Sequence, residues 1–227
     1  MEIIEYGNKS QRGNLLGIQP FLTTADYVSG EAFFAKLDSY LESANQKGWL
    51  NERTIVIWPE YIGTWLVITG EGRRVYDARN LFHAMLSLAL RHLPQLALVL
   101  PSAKENNKIA ASLFRIRAGS MAALYHSTFS ALAKNYSVTM VAGSILLPAP
   151  EVRRGLVAAG KGPLYNISAV YKPDGWAYSE LVCKLFPIAS ELDFVAAAST
   201  NDLFPVFETP AGRLGVLIIS MAQLSQS

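Results

Sequence analysis

Two residues of this chain join a reactive type to an unusual place. Glu60 stands two residues after Thr54 to Trp58 (TIVIW), a short apolar run rich in β-branched residues, of the kind that forms a strand buried on both faces. Pro59 ends that strand because proline cannot donate to the ladder. A carboxylate just past a strand's carboxyl end is well placed, since open α/β sheets gather their ligands there. Its other reading is a loop glutamate that caps a neighbouring helix or faces solvent. Lys184 lies in the strand-like run LVCKLF. An ammonium there needs a nearby carboxylate or an exposed face, because burial without a partner is expensive. On an edge strand it would instead be an ordinary guard against aggregation.

Other chemistries find less support. Cys183, the single cysteine, adjoins Lys184, and strand alternation sends neighbours to opposite faces. It is therefore a poor nucleophile for a site built around that lysine and reads as a buried structural thiol. His83 and His92 are nine positions apart, half a turn out of phase on a helix, and His126 lies in another segment. No metal site is expected. There is no phosphate-binding P-loop, no dinucleotide glycine fingerprint and no GxSxG elbow, so no nucleotide cofactor is expected either.

The elements that must position Glu60 and Lys184 follow from periodicity. Residues 15 to 23 read as a first strand. Ser29 precedes a helix with Phe33, Phe34, Leu37, Tyr40, Leu41 and Ala44 at helical spacing, closed by Gly48. After the 54 to 58 strand, Asp77 can cap a helix carrying Leu81, Met85, Leu88 and Ala89, and helical spacing recurs over 109 to 116 and 121 to 133. Val138 to Leu147 is another buried strand, followed by a polar, Gly-containing loop. Two hairpins close the pattern: 164 to 171 with 176 to 185 about Lys172-Pro173-Asp174-Gly175, and 204 to 208 with 214 to 219 about Thr209-Pro210-Ala211-Gly212. The order predicts an α/β (α+β) chain: a sheet covered by helices on one side, with later antiparallel strands. The last strand, Val216 to Ile219, has no helix after it to cover the new edge, so the domain reads as cut short.

At 227 residues, the chain suits one domain with a full core, spanning 1–227. Its 51% hydrophobic and 17% charged residues exclude disorder. Twenty Lys and Arg against eighteen Asp and Glu, with no basic stripe, give no footprint for nucleic acid or an anionic membrane surface. The polar N-terminus is not a secretory signal, and Arg91, His92, Pro94 and Gln95 interrupt the most apolar stretch, 82 to 100, so no membrane span is expected. A single cysteine fits a reducing, cytoplasmic compartment.

Five fragments in order, VIWPEY around Glu60, ALAKNYSVTMVAGS, LYNISAVYKPDG, CKLFPI around Lys184 and TPAGRLGVLI, resemble the nitrilase, or carbon-nitrogen hydrolase, superfamily over about residues 15 to 219. The resemblance implies an α-β-β-α sandwich that associates through its helices into a homo-oligomer. It also implies cofactor-free hydrolysis of a small amide or nitrile by a Glu, a Lys and a Cys. Glu60 matches the Glu, the candidate base that takes the proton of the nucleophile. Lys184 matches the Lys, the candidate stabiliser of negative charge on the former carbonyl oxygen or nitrile nitrogen. Glu191, seven residues after Lys184, matches a second Glu of many relatives; a helix-start or surface role is the other reading.

The chain departs from that pattern at the nucleophile. Where the family places its Cys, after GRLGVLI, stands Ile219, which has neither a proton to give nor a lone pair to attack with. Ser220, the weak substitute, is one residue on, a shift that turns a strand side chain to the other face, and a hydroxyl is harder to activate than a thiol. The expectation is a carbon-nitrogen hydrolase fold, amidase- or nitrilase-type, that is C-terminally incomplete, a fragment inactive as it stands. The alternative is a non-catalytic relative serving as a binding or oligomerisation module.

Overall fold

Alternation along four strands divides the core into two layers. The computed structural model describes residues 2–7, 12–77, 81–189, 191–198 and 204–219, without the side chains of 73–74 and 81–83. The central sheet contains β1 (Asn14–Gly17), β2 (Thr54–Ile57), β3 (Thr139–Pro148), β6 (Leu164–Tyr171) and β7 (Ala177–Cys183), side by side in that order. β1, β2 and β3 run parallel, while β3, β6 and β7 are antiparallel. Val56, Met140, Ala142, Ala169, Tyr171 and Leu181 point into one core. Their neighbours Ile55, Val141, Val170 and Val182 point into another. A sheet apolar on both faces must be covered on both.

Helices cover the first face. α1 (Gly30–Gln46) starts at Ser29, whose Oγ accepts from Ala32 N at 3.0 Å, and buries Phe33, Leu37, Leu41 and Ala44. It ends before Gly48, whose φ of +70° suits the left-handed turn that closes a helix. α5 (Lys108–Tyr136) lies beside it and buries Met121, Ala122, Tyr125, Phe129, Leu132 and Ala133. The second face receives the hairpin of β8 (Val206–Thr209) and β9 (Gly212–Gly215), which packs Phe207, Leu214, Val216 and Ile218 on Ile55, Val141, Val170 and Val182. The result is a mixed α/β fold with a helix layer, a central sheet and a strand pair.

The structure corrects several boundaries. The first strand ends at Gly17, short of 23: Ile18 N makes a last bond to Ile57 O at 2.9 Å before Pro20. The two helical stretches 109–116 and 121–133 are one helix, since burial of Ala118 and Met121 outweighs the roughly 1 kcal/mol an interior glycine, here Gly119, costs. The loop after β3 holds a hairpin, β4 (Glu151–Arg153) with β5 (Leu156–Ala158), whose two turn residues Arg154 and Gly155 have φ of +50° and +76°. Lys184 lies one residue beyond β7 rather than within it. α2 (Arg73–Tyr76) and α3 (Leu81–Arg91) flank residues 78–80, so capping by Asp77 falls against positions outside the described residues. Pro94 opens α4 (Leu93–Val99), and Ala84–Arg91 meets Leu93–Ser102 at 85°. Among the described residues no single helix is long and apolar enough to cross a membrane.

Candidate functional site

Glu60 is held in place by a bulge in β3. The β3–β6 register shifts between Val141 and Ser144, and Gly143 sits there with φ of +64°. A Cβ at Gly143 would stand 2.3 Å from Pro59 O, so only glycine lets the two segments approach so closely. Ser144 then clasps the turn after β2: Ser144 N donates to Pro59 O at 3.3 Å, Gly63 N to Ser144 O at 2.9 Å, and Tyr61 N to Ser144 Oγ at 2.8 Å. Tyr61 is held at a φ of +65°, a conformation that costs a non-glycine residue free energy and persists only when its surroundings impose it. Tyr125 of α5 ties the bulge to the helix layer, its hydroxyl donating to Gly143 O at 2.8 Å and accepting from Ala169 N at 3.2 Å.

Lys184 meets that turn from the far side of the sheet. Its backbone N donates to Asn166 O at 2.9 Å, and its side chain is fully buried. Nζ lies 2.8 Å from Glu60 Oε1 and 2.8 Å from Glu191 Oε2, which occupies two of the three ammonium donors. The Tyr61 ring lies 5.8 Å from Nζ, within cation-π range. The edge-guard reading of Lys184 and the solvent-facing reading of Glu60 are thereby excluded. Cys183 is half-buried and faces the helix-side core with Leu181.

Glu191 is buried too, which removes its surface reading. It sits in a turn where its Oε2 accepts from Ile188 N at 2.6 Å and its carbonyl accepts from Val195 N at 2.7 Å. Phe194 of that turn stacks on Phe114 of α5, with centroids 6.0 Å apart. Burial pushes the Glu191 carboxyl above the usual carboxylate range; the Ile188 N–H works against that, and the neighbouring Glu60 charge adds to it.

Asn166 is the member of this cluster that sequence reading passed over. Its Nδ2 donates to Glu60 Oε1 at 2.9 Å and to Glu191 Oε1 at 3.3 Å, so one amide bridges both acids. The opposite amide orientation would set an oxygen against two carboxylates. A signal existed: Asn is depleted in strands, yet stands within the largely apolar run LYNISAVY.

The cluster opens on a cleft of about 350 Å³ through Glu60, whose side chain is 22% exposed. Leu22, Tyr61, Ile62, Trp65 and Ile68 line its walls. Position 219 is not brought there. Val216 and Ile218 point to the sheet while Ile219 is 63% exposed, and Ser220 lies outside the described residues. The two histidines whose side chains are described stand apart: His92 lies by Glu71, and His126 Nδ1 is 3.3 Å from the Tyr171 hydroxyl.

No protein-family model and no curated protein matches the chain. Among solved structures it is similar to an amidase from Nesterenkonia sp., with 12% identity, a TM-score of 0.46, and 92% of this chain and 56% of that one covered. For a cysteine-to-alanine variant of the Nesterenkonia AN1 amidase from the nitrilase superfamily the figures are 12%, 0.47, 92% and 56%. For an N-terminal amidase with a Gln-Gly peptide they are 14%, 0.45, 85% and 32%. The chain thus spans about half the length of the first two and a third of the last. Likeness of this order does not transfer an activity.

Proposed function

We propose that this chain is a carbon-nitrogen hydrolase-type domain whose Glu60–Lys184–Glu191 centre recognises a small amide or nitrile, and which, with isoleucine at 219, does not cleave it by a cysteine mechanism. The observation that carries the reading is the pair of 2.8 Å contacts by which one buried ammonium joins two carboxylates from distant segments, beside a cleft. A fixed ammonium with one donor to spare can polarise a carbonyl or nitrile, and a carboxylate at the cleft wall can accept a proton. In this reading Glu60 is the base, Lys184 the stabiliser, and Glu191 with Asn166 holds the ammonium in position. The proposal includes a cytoplasmic setting and a homo-oligomer formed through helices.

The test is made on the full chain. Amide-dependent shifts in its NMR spectrum, lost in Lys184→Met, together with no ammonia release, support the reading. Failure of any amide or nitrile to bind contradicts it. Ammonia release by the unmodified chain would also contradict it, and its loss in Ser220→Ala would assign the reaction to that serine. The second reading, a non-catalytic binding or oligomerisation module, is favoured by the double ion pairing of Lys184, which would serve equally as a structural lock. It expects loss of stability on breaking the cluster and no amide binding.

A further inference from the structure

Tyr61 pairs a strained backbone with a ring set against the buried ammonium. Its φ of +65° is held by Ser144 Oγ, which accepts from Tyr61 N at 2.8 Å, and by Thr64 N, which donates to Tyr61 O at 3.0 Å. Glycine or asparagine would make the same turn with less strain, so a tyrosine kept there points to work done by its side chain. The Lys184 side chain has no exposed surface and does not line the cleft. Among the described residues, Glu60 and Tyr61 are the two that both line the cleft and stand against Nζ. Glu60 and Glu191 take two of the ammonium donors, and a third left bare in the interior would be costly. The face of an aromatic ring is electron-rich, and the centroid of this one lies 5.8 Å from Nζ.

We infer that Tyr61 is a positioning residue: its ring covers the third donor of Lys184 and closes the ammonium off from the cleft, so that a ligand reaches Lys184 only by offering an acceptor atom in place of the ring. The exchange discriminates among ligands. An oxygen or nitrogen lone pair accepts from an ammonium more strongly than a ring face does, whereas an apolar group has nothing to exchange. Release of the ring also lets the turn relax from its positive φ, which offsets part of the contact given up. The covering is a property of the turn and holds whether or not an amide binds; that the incoming acceptor belongs to an amide or nitrile rests on the proposed function.

The test is reductive methylation of the full chain with formaldehyde and cyanoborohydride, followed lysine by lysine in the mass spectrum, with the exposed Lys104 and Lys161 as internal references. Lys184 should be protected in the unmodified chain and in Tyr61→Phe, which keeps the ring. In Tyr61→Asn, which keeps the turn without the ring, it should react at least about tenfold faster relative to the references. That increase should not vary with urea below the unfolding transition, since access past a missing ring needs no unfolding. Should Tyr61→Asn not fold, Ser144→Ala, which frees the Tyr61 N–H, should raise Lys184 labelling in the same urea-independent way. Equal protection of Lys184 in the Tyr61→Phe and Tyr61→Asn chains, or labelling that rises only as urea unfolds the protein, overturns the inference and leaves the hydrolase-type reading standing. In the Tyr61→Asn chain phenylacetamide should restore protection of Lys184. Labelling indifferent to every amide and nitrile counts against the hydrolase-type reading alone, because the covering is measured without ligand.

Discussion

Two buried ionic clusters in this chain carry opposite surpluses. Around Lys184, two carboxylates share one ammonium, and one of them, Glu60, lines the cleft. Around Glu71, one buried carboxylate faces three bases: His92 Nε2 at 2.9 Å and Arg117 at 3.3 Å on Oε1, and Arg91 Nε at 2.9 Å on Oε2 as an ion pair rather than an aligned hydrogen bond. Arg117 also donates to the carbonyls of Val67 and Thr69, so this second cluster pins the turn after the cleft wall to α5. None of its members lines the cleft beside Glu60. A buried charge is not by itself a functional site; what sets the first cluster apart is that one of its carboxylates lines a cleft.

The largest effect expected from breaking this contrast is in the first cluster. Lys184→Met leaves Glu60 and Glu191 facing each other with no cation and should cost about 4 kcal/mol in urea unfolding. Adding Glu60→Gln and Glu191→Gln should return most of it, since the repulsion goes with the charges. A loss under about 1 kcal/mol would mean that the two acids do not depend on the lysine. Glu71→Leu should cost less, about 3 kcal/mol, because Arg91 is already 55% exposed and can turn to water; an equal or larger loss would reverse the ranking. Gly143→Ala should cost about 2 kcal/mol through the clash with Pro59 O and the positive φ, and should weaken amide binding by displacing Glu60. Unchanged binding would show that the bulge does not position the acid.

Much of this was legible in the sequence, for reasons particular residues make clear. TIVIW and VTMVAGSILL are continuous apolar runs, and such runs become central strands. Ser29 and Gly48 bracketed α1 because caps act locally. Glu60 and Lys184 stood out because a charge beside a buried strand needs a partner, and each proved to be the other's. Glu71 with Arg117 and the bridging Asn166 escaped notice, since their partners lie 46 and 106 positions away and only the folded chain brings them together. The bulge at Gly143 was hidden too, because AGS within a strand looks like any small-residue segment until its register is seen.

The smallest effect concerns pH. A folded-state carboxyl raised by burial binds its proton more tightly than in the unfolded chain. Glu191 therefore contributes stability that is fully present below the ordinary carboxylate range and is lost as pH rises through its folded pKa. The stability of the unmodified chain relative to Glu191→Gln should thus fall as pH climbs from about 4.5 toward neutrality, read from denaturation midpoints. A difference that is flat or grows with pH would show that the Ile188 N–H and Lys184 outweigh the burial.

The decisive measurement is the structure of the full chain with phenylacetamide bound. The account places the amide group in the cleft against Glu60, with the Lys184 contacts to Glu60 and Glu191 intact. An amide bound elsewhere, or turned so that its ring meets Glu60 and its nitrogen faces solvent, would contradict it.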